Sequence, residues 1–221
     1  MGIGHAAVGL GLKAADRRLN AGLLIFAAFL ADFLLGWFTL AGWESYEYPQ
    51  NYASVHYMFF NFPWSHGLLP LMVWGACLGA VVWVFRREIR PAVIVGIAVV
   101  SHFLLDGLVH LKGLPVAGPG TWKLGLGLWR DLPLALSIEA AMTVAALAIY
   151  VWAARHHTRG RRFCMVAYMA LLGALAIVGQ SFSSDPAGRT GLIVNWITGP
   201  LVFAVVAWSI DHQRPAMAKP R

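Results

Sequence analysis

The chain has 221 residues, of which 59% are hydrophobic and only 12% are charged, and its mean hydropathy is +0.65. A soluble domain carries about a quarter charged residues, so this composition excludes an ordinary soluble protein. The net charge of +7 does not indicate nucleic-acid binding, because the basic residues form short clusters between apolar runs rather than one basic face. The composition therefore favours a polytopic membrane protein, with residues 1–221 as one membrane domain.

The apolar runs predict the elements in chain order, since crossing a bilayer takes roughly 20 apolar residues. Residues 1–18 contain a run too short to span, so we expect a short N-terminal helix that is interfacial or half-inserted. The sequence then predicts an all-α integral membrane protein with six transmembrane helices, at about residues 21–43, 64–85, 91–111, 131–154, 163–182 and 191–210. The Gly- and Pro-rich loop after the third helix is too long for a tight turn, and we expect it to fold back over the membrane surface.

The basic residues predict the orientation of these helices. With six spans, 13 of the 17 Lys and Arg residues fall on the side of the two termini. The opposite side has only Lys112, Lys123, Arg130 and Arg189. Because Lys and Arg accumulate in cytoplasmic loops, we expect both termini to be cytoplasmic.

The sequence SHFLLDGLVH, at residues 101–110, places three ionisable groups in an apolar helix. His102, Asp106 and His110 are spaced by four residues, which returns a side chain to nearly the same face of an α-helix. Other predicted helices also carry buried ionisable groups, at Asp32, His66 and Glu139. A rise of about 1.5 Å per residue puts all of them in the outer half of the membrane, where they can meet.

Unpaired, ionised carboxylates at that depth need an opposite charge nearby, because an isolated charge at the bilayer centre costs at least about 2.5 to 3.5 kcal/mol. The predicted spans contain no Lys or Arg that could pair with them. A divalent cation would keep the carboxylates ionised beside neutral imidazoles. Histidine nitrogen and carboxylate oxygen without thiolate suit zinc first, with manganese or iron(II) as alternatives. The predicted ligands are His66, His102, Asp106 and Asp32, with His5 as a further candidate.

Each of these residues also has a simpler interpretation. A lone membrane histidine usually makes a hydrogen bond between helices, and Asp32 could be a protonated carboxyl group bonded to a neighbouring helix. Glu139 could be a base, a ligand or a packed polar group, and His110 is expected to be solvated or to support a ligand. Considered together, the set favours a metal site, with Glu139 or an unliganded Asp32 as the catalytic base.

The chain contains four short motifs, His5-x-x-x-Gly9, Ala31-Asp32, Trp64-Ser65-His66 and Ser101-His102-x-x-x-Asp106. Together they resemble a bacterial inner-membrane family described as membrane-bound metal-dependent hydrolases. The resemblance covers roughly the first 130 residues and includes the GLGLW stretch at 125–129. It implies a metal-dependent hydrolase in the bacterial inner (cytoplasmic) membrane.

The chain departs from that family's pattern at three places. The family has Pro-Asp-x-Asp where this chain has Ala31-Asp32-Phe33-Leu34, so one carboxylate is missing. Gly67 follows His66 where the family has Ser, and Phe62-Pro63 replaces the usual His-Arg. These differences favour one metal ion over two.

Three functions are compatible with this pattern. The first is a hydrolase acting on a lipid-borne ester or phosphodiester near the outer leaflet, with the bilayer and a lipid-like substrate as partners. The second is an ion- or proton-coupled transporter, because such carriers also bury Asp, Glu and His. The third is a non-enzymatic membrane subunit that uses its aromatic surface to bind a partner or a pigment.

Overall fold

The computed structural model describes residues 2–55, 57–182 and 187–212, and these residues are mostly helical. The helices are α1 Gly2–Gly11, α2 Ala21–Ala28, α3 Leu30–Leu40, α4 Tyr52–Val55, α5 Leu68–Arg86, α6 Ile89–Val109, α7 Leu132–Ala153, α8 Arg159–Phe182 and α9 Arg189–Asp211. Two short antiparallel hairpins pair β1 Ser45–Glu47 with β2 Phe59–Asn61, and β3 Leu114–Pro115 with β4 Lys123–Leu124. Single 3₁₀ turns occupy Leu12–Ala14 and Leu128–Arg130.

Helices α5 to α9 are each long and apolar enough to cross a membrane. The pair α2–α3 makes a sixth candidate if its two arms are counted as one bent span. The predominantly helical fold is therefore confirmed and is compatible with a membrane protein, and the predicted number of six spans depends on how that bent pair is counted.

The first predicted span, residues 21–43, is not one straight helix. Its two arms, α2 and α3, meet at Phe29 with their axes 49° apart. Helix α9 packs against both arms, and glycines permit the close approach. A Cβ atom at Gly22 would collide with Ala204 O, and one at Gly36 would lie 2.6 Å from Ile197 Cγ1. The bend therefore accompanies tight packing that the apolar sequence alone does not reveal.

Helix α1 lies inside the bundle, where the sequence predicted an interfacial or half-inserted segment over residues 1–18. It ends at Gly11 and packs against α2, α6 and α7. A Cβ atom at Gly9 would lie 2.8 Å from the Ile25 Cα atom, so this glycine is required for the contact with α2. The many Gly and Ala residues of α1 allow neighbouring backbones to approach on several sides.

Helix α5 begins four residues later than the predicted span at residues 64–85. Trp64, Ser65 and His66 form a turn between β2 and α5 instead of its first helical turn. The backbone N–H groups of Trp64 and Ser65 donate to the carboxylate of Glu44, which holds this turn in place. His66 is therefore positioned by a loop contact rather than by helical periodicity.

The loop between α6 and α7 folds back over the end of α6, whereas its position over the membrane surface stays a prediction. The N–H of Leu126 donates to Gly107 O and that of Gly127 donates to His110 O, both at 2.8 Å. Gly125 has φ +145°, and a Cβ atom there would collide with the carbonyl oxygens of residues 110 and 111. This glycine lets the loop place Trp129 against His110, with ring centroids 4.1 Å apart.

The basic clusters gather at one end of the bundle, and the two hairpins lie at the other. Lys13 is buried in an ion pair of 2.6 Å with Asp211, and Arg18 pairs with Glu88 at 2.6 Å on the surface. This grouping matches the segregation of Lys and Arg in the sequence, although the cytoplasmic assignment stays a prediction. Of the basic residues counted for that side, Arg214, Lys219 and Arg221 lie outside the described residues.

Candidate metal centre

Helix α6 directs three ionisable side chains at one point. His102, Asp106 and His110 are 0%, 2% and 7% exposed. The Asp106 Oδ2 atom lies 3.4 Å from His102 Nε2 and 3.1 Å from His110 Nε2. His110 was expected to be solvated or to support a ligand, and it is buried beside Asp106 because the folded-back loop covers it with Trp129.

His66 meets this helix from the turn before α5. Its Nε2 atom lies 3.1 Å from His102 Nε2 and 3.7 Å from Asp106 Oδ2. On the other side it lies 3.7 Å from the Oδ1 atom of Asp32, which belongs to the first turn of α3. Four residues predicted as ligands are thus brought together from three separate parts of the chain.

His5 also reaches the cluster, since α1 is buried in the bundle. The His5 ring stacks on the His102 ring at a centroid distance of 3.8 Å and an interplanar angle of 3°. Its Nε2 atom lies 3.0 Å from Asp106 Oδ1. His5, the further candidate ligand, is therefore brought beside the other candidates by the burial of α1.

The distances between these atoms suit a small metal ion. Zinc bonds of about 2.0 to 2.2 Å in a tetrahedron place neighbouring ligand atoms roughly 3.3 to 3.6 Å apart. The nitrogen and oxygen atoms of His66, His102 and Asp106 are separated by 3.1, 3.4 and 3.7 Å. These residues could hold a metal ion, and so could His5, Asp32 and His102.

Both groups of possible ligands include His102, which can offer only one nitrogen atom, so the site is limited to one ion. The Nδ1 atom of His102 donates a hydrogen bond of 2.8 Å to Ala28 O, because a carbonyl oxygen can only accept. Only Nε2 remains as a ligand atom. The two groups therefore compete for one nitrogen, which agrees with the single metal expected from the missing carboxylate of the motif.

The cluster opens into a cavity of about 260 Å³. Its polar wall is formed by Asp32, His66, Asp106, His110 and Asn195. The apolar wall is mainly aromatic and comprises Phe29, Phe60, Phe62, Trp129, Trp196 and Phe203. The Asp32 side chain is 25% exposed, whereas those of His66 and Asp106 are each 3% exposed. Asp32 is thus the most accessible carboxylate of the cluster.

Glu139, which was predicted as a base, a ligand or a packed polar group, is not among the residues that line this cavity. Its Oε2 atom accepts the N–H of Gly4 at 3.1 Å, and its Oε1 atom has no hydrogen-bond partner among the described residues. A carboxylate beside the first turn of α1 is favourably placed in the field of that helix. The position of Glu139 therefore supports a role in holding α1, and it leaves Asp32 as the candidate base.

Sequence reasoning missed Ala28 and Glu44 and gave Ser65 no separate role. Ala28 O orients His102, and Ser65 Oγ lies 2.7 Å from His66 Nδ1 and 2.6 Å from Glu44 Oε2. Hydrogen bonds to the outer nitrogen of a ligating histidine fix the ring and its tautomer. Only Glu44 left a signal in the sequence, as a carboxylate at the end of the first apolar run.

Comparisons with protein-family models, curated proteins and solved structures found no match. The likeness to the metal-dependent hydrolase family thus depends on the four sequence motifs alone.

Proposed function

We propose that this chain is a membrane-embedded metal-dependent hydrolase that acts on a lipid-borne ester or phosphodiester. The observation that carries this proposal is the convergence of His66 Nε2, His102 Nε2 and Asp106 Oδ2 beside a cavity that His66 and Asp106 line. Three buried ligand atoms with one accessible carboxylate beside them are typical of a catalytic site that keeps a position open.

A bound cation explains why these buried groups are tolerated. Two imidazole nitrogens that face each other at 3.1 Å repel if both carry lone pairs. A proton between them would relieve this repulsion, but the carboxylates of Asp32 and Asp106 would still need compensation in a low-dielectric environment. One divalent ion neutralises both charges, and zinc fits the ligand types best, with manganese or iron(II) as alternatives.

In the proposed mechanism, His66, His102 and Asp106 would hold the ion, which would lower the pKa of bound water and polarise the scissile group. Asp32 accepts the proton of the attacking water, because its carboxylate is the most accessible one at the cavity. His110 supports Asp106 through the contact between its Nε2 and Oδ2 atoms. The aromatic wall of the cavity limits the access of further water molecules to the site.

The cavity restricts the substrate class. A volume of about 260 Å³ holds a head group and the adjoining bond rather than a whole lipid. The site lies in the half of the bundle away from the basic clusters, which is the outer half if both termini are cytoplasmic. An amphipathic substrate would place its polar group at Asp32 and leave its acyl chains in the surrounding bilayer.

Hydrolysis in a lipid environment tests the proposal. Chelator-treated protein in nanodiscs is reloaded with zinc, manganese or iron(II) and given lipids with reporter ester or phosphodiester bonds. Product should form only after reloading, and His102→Ala should abolish it. Asp32→Asn should lower turnover by about 10²-fold or more, since general-base catalysis contributes that much. His156→Ala, an exposed histidine at the other end, is the matched control. Equal product from wild type and His102→Ala would refute the proposal.

The second candidate is an ion- or proton-coupled transporter, which one observation favours. The bend at Phe29 and the proline inside α9, Pro200, both border the cavity. Carriers build substrate sites from interrupted helices of this kind. Uptake into proteoliposomes that follows a proton or cation gradient and survives metal removal would select the transporter over the hydrolase.

A further inference from the structure

Glu44 is a buried carboxylate outside the cluster. Its oxygen atoms accept hydrogen bonds from one short segment, Trp64 and Ser65. Its Oε1 atom accepts the N–H groups of Trp64 and Ser65, both at 2.8 Å. Its Oε2 atom accepts the hydroxyl hydrogen of Ser65 at 2.6 Å. Glu44 is 3% exposed and Ser65 is fully buried. Three donors stabilise the ionised carboxylate, which can only accept hydrogen bonds.

The direction of the Ser65 hydroxyl determines the tautomer of His66. Because the Ser65 hydrogen points at Glu44, the Oγ atom has only lone pairs to offer His66 Nδ1, which lies 2.7 Å away. Nδ1 must therefore carry the hydrogen. The Nε2 atom of a neutral His66 is then an unprotonated nitrogen, directed at His102 Nε2 at 3.1 Å.

We propose that Glu44, acting through Ser65, is the positioning residue that holds His66 in the tautomer needed to bind the metal. This inference rests on the proposed function, since the ligand role of His66 belongs to it. The contacts from Glu44 to Ser65 and from Ser65 to His66 form a hydrogen-bond relay. This relay links the loop after α3 to a ligand that lies in another part of the chain. Ser65 Oγ orients the His66 ring as Ala28 O orients the His102 ring, so each histidine has its own acceptor.

The substitution Glu44→Gln reverses this relay without changing its shape. The amide oxygen can replace Oε1 and keep both backbone hydrogen bonds from the turn. The amide nitrogen then replaces Oε2 and donates to Ser65 Oγ, so the serine hydroxyl turns and donates to His66 Nδ1. His66 must then carry its hydrogen on Nε2, where it blocks metal binding and donates to His102 Nε2.

Two measurements test the proposal. Nitrogen NMR of metal-free protein labelled at histidine reports the tautomer of His66, whose signal is identified by its loss in His66→Gln. We expect Nδ1–H in the wild type and Nε2–H in Glu44→Gln. The zinc dissociation constant should rise about 10- to 100-fold in Glu44→Gln, as for other residues that orient metal ligands. Glu47→Gln, which changes an exposed carboxylate at the end of the neighbouring strand β1, should change neither quantity.

A second variant keeps the proposal testable if Glu44→Gln does not fold. Ser65→Ala removes the relay without reversing it, so it should weaken zinc binding and leave both His66 tautomers populated. Unchanged tautomer and affinity in Glu44→Gln or Ser65→Ala would overturn the proposal. The tautomer measurement needs no metal. A reversed tautomer with no zinc bound by the wild type would support the relay and refute the proposed hydrolase.

Discussion

The Nδ1 atom of His102 lies 2.8 Å from Ala28 O, at the bend between α2 and α3. In an uninterrupted helix this carbonyl oxygen would accept the N–H group four residues later, at Asp32. The bend at Phe29 releases it to accept from the histidine of another helix. The same bend begins α3 with Asp32 in its first turn, facing the cavity. The irregular backbone is therefore part of the site, because it orients one ligand and presents the candidate base.

His110 is expected to support the metal centre without binding the ion. Its Nε2 atom contacts Asp106 Oδ2 at 3.1 Å and would hold that carboxylate in its ligating orientation. His110→Gln should therefore retain one zinc ion per chain with about 10-fold weaker affinity, within the range for residues that support ligands. Titration with zinc in detergent measures this. Complete loss of zinc would show that His110 is itself a ligand.

The Lys13–Asp211 pair should contribute strongly to stability. Their side chains are 3% and 0% exposed, and Asp211 also accepts the hydroxyl of Tyr150 at 3.0 Å. Asp211→Asn leaves the Lys13 charge buried without its counter-ion, which costs about 3 to 5 kcal/mol of unfolding free energy. Reversible unfolding in detergent measures the loss.

The surface pair of Arg18 with Glu88 is the matched control for this effect. The two side chains are 59% and 46% exposed, so solvent screens their attraction. Glu88→Gln should therefore lower the unfolding free energy far less than Asp211→Asn does. Equal losses in Glu88→Gln and Asp211→Asn would contradict the importance of burial.

His157 should make the protein less stable in mild acid. Burial lowers the pKa of His157 below its ordinary value of 6.5, although the nearby Asp211 acts in the opposite direction. Below about pH 6.5 the unfolded chain therefore binds more protons than the folded one, and the unfolding free energy falls as the pH falls. His157→Gln should flatten this dependence between pH 7.5 and 5.5. The exposed His212→Gln should keep it, and an unchanged slope in His157→Gln would count against the prediction.

Gly125 should be indispensable to the loop that covers His110. Alanine there is strained at φ +145° and its Cβ atom collides with two carbonyl oxygens at the end of α6. Gly125→Ala should cost about 1 to 3 kcal/mol of unfolding free energy, and it should weaken zinc binding because Trp129 no longer covers the site. At Gly113 the nearest atom to a new Cβ atom is 3.4 Å away, so Gly113→Ala is the control. Similar losses in the two variants would rule out this explanation.

Local sequence patterns were sufficient for the long helices and for the face shared by His102 and Asp106. Apolar run length and a four-residue spacing are properties of one segment, and they can be evaluated without any knowledge of neighbours. The common depth of Asp32 and His66 followed from the same counting. These predictions concern which groups occupy the outer half of the bundle.

The remaining parts of the site depend on contacts between distant segments. No Pro or Gly marks the bend at Phe29, and the depth of α1 is set by the contact of Gly9 with α2. In the sequence, Glu44 and Lys13 look like ordinary charged residues between apolar runs, because their burial results from how those segments pack in the folded chain. Glu139 has the expected depth but faces α1, and depth alone does not predict which neighbour a side chain contacts.

The metal content of the purified protein tests the central claim most directly. Wild type, His102→Ala and Asp106→Ala are prepared without chelators, and bound metals are measured by mass spectrometry against protein concentration. The account predicts one transition-metal ion per wild-type chain and almost none in either variant, with His156→Ala resembling the wild type. A wild type without a bound transition metal, or variants that retain one, would contradict the account.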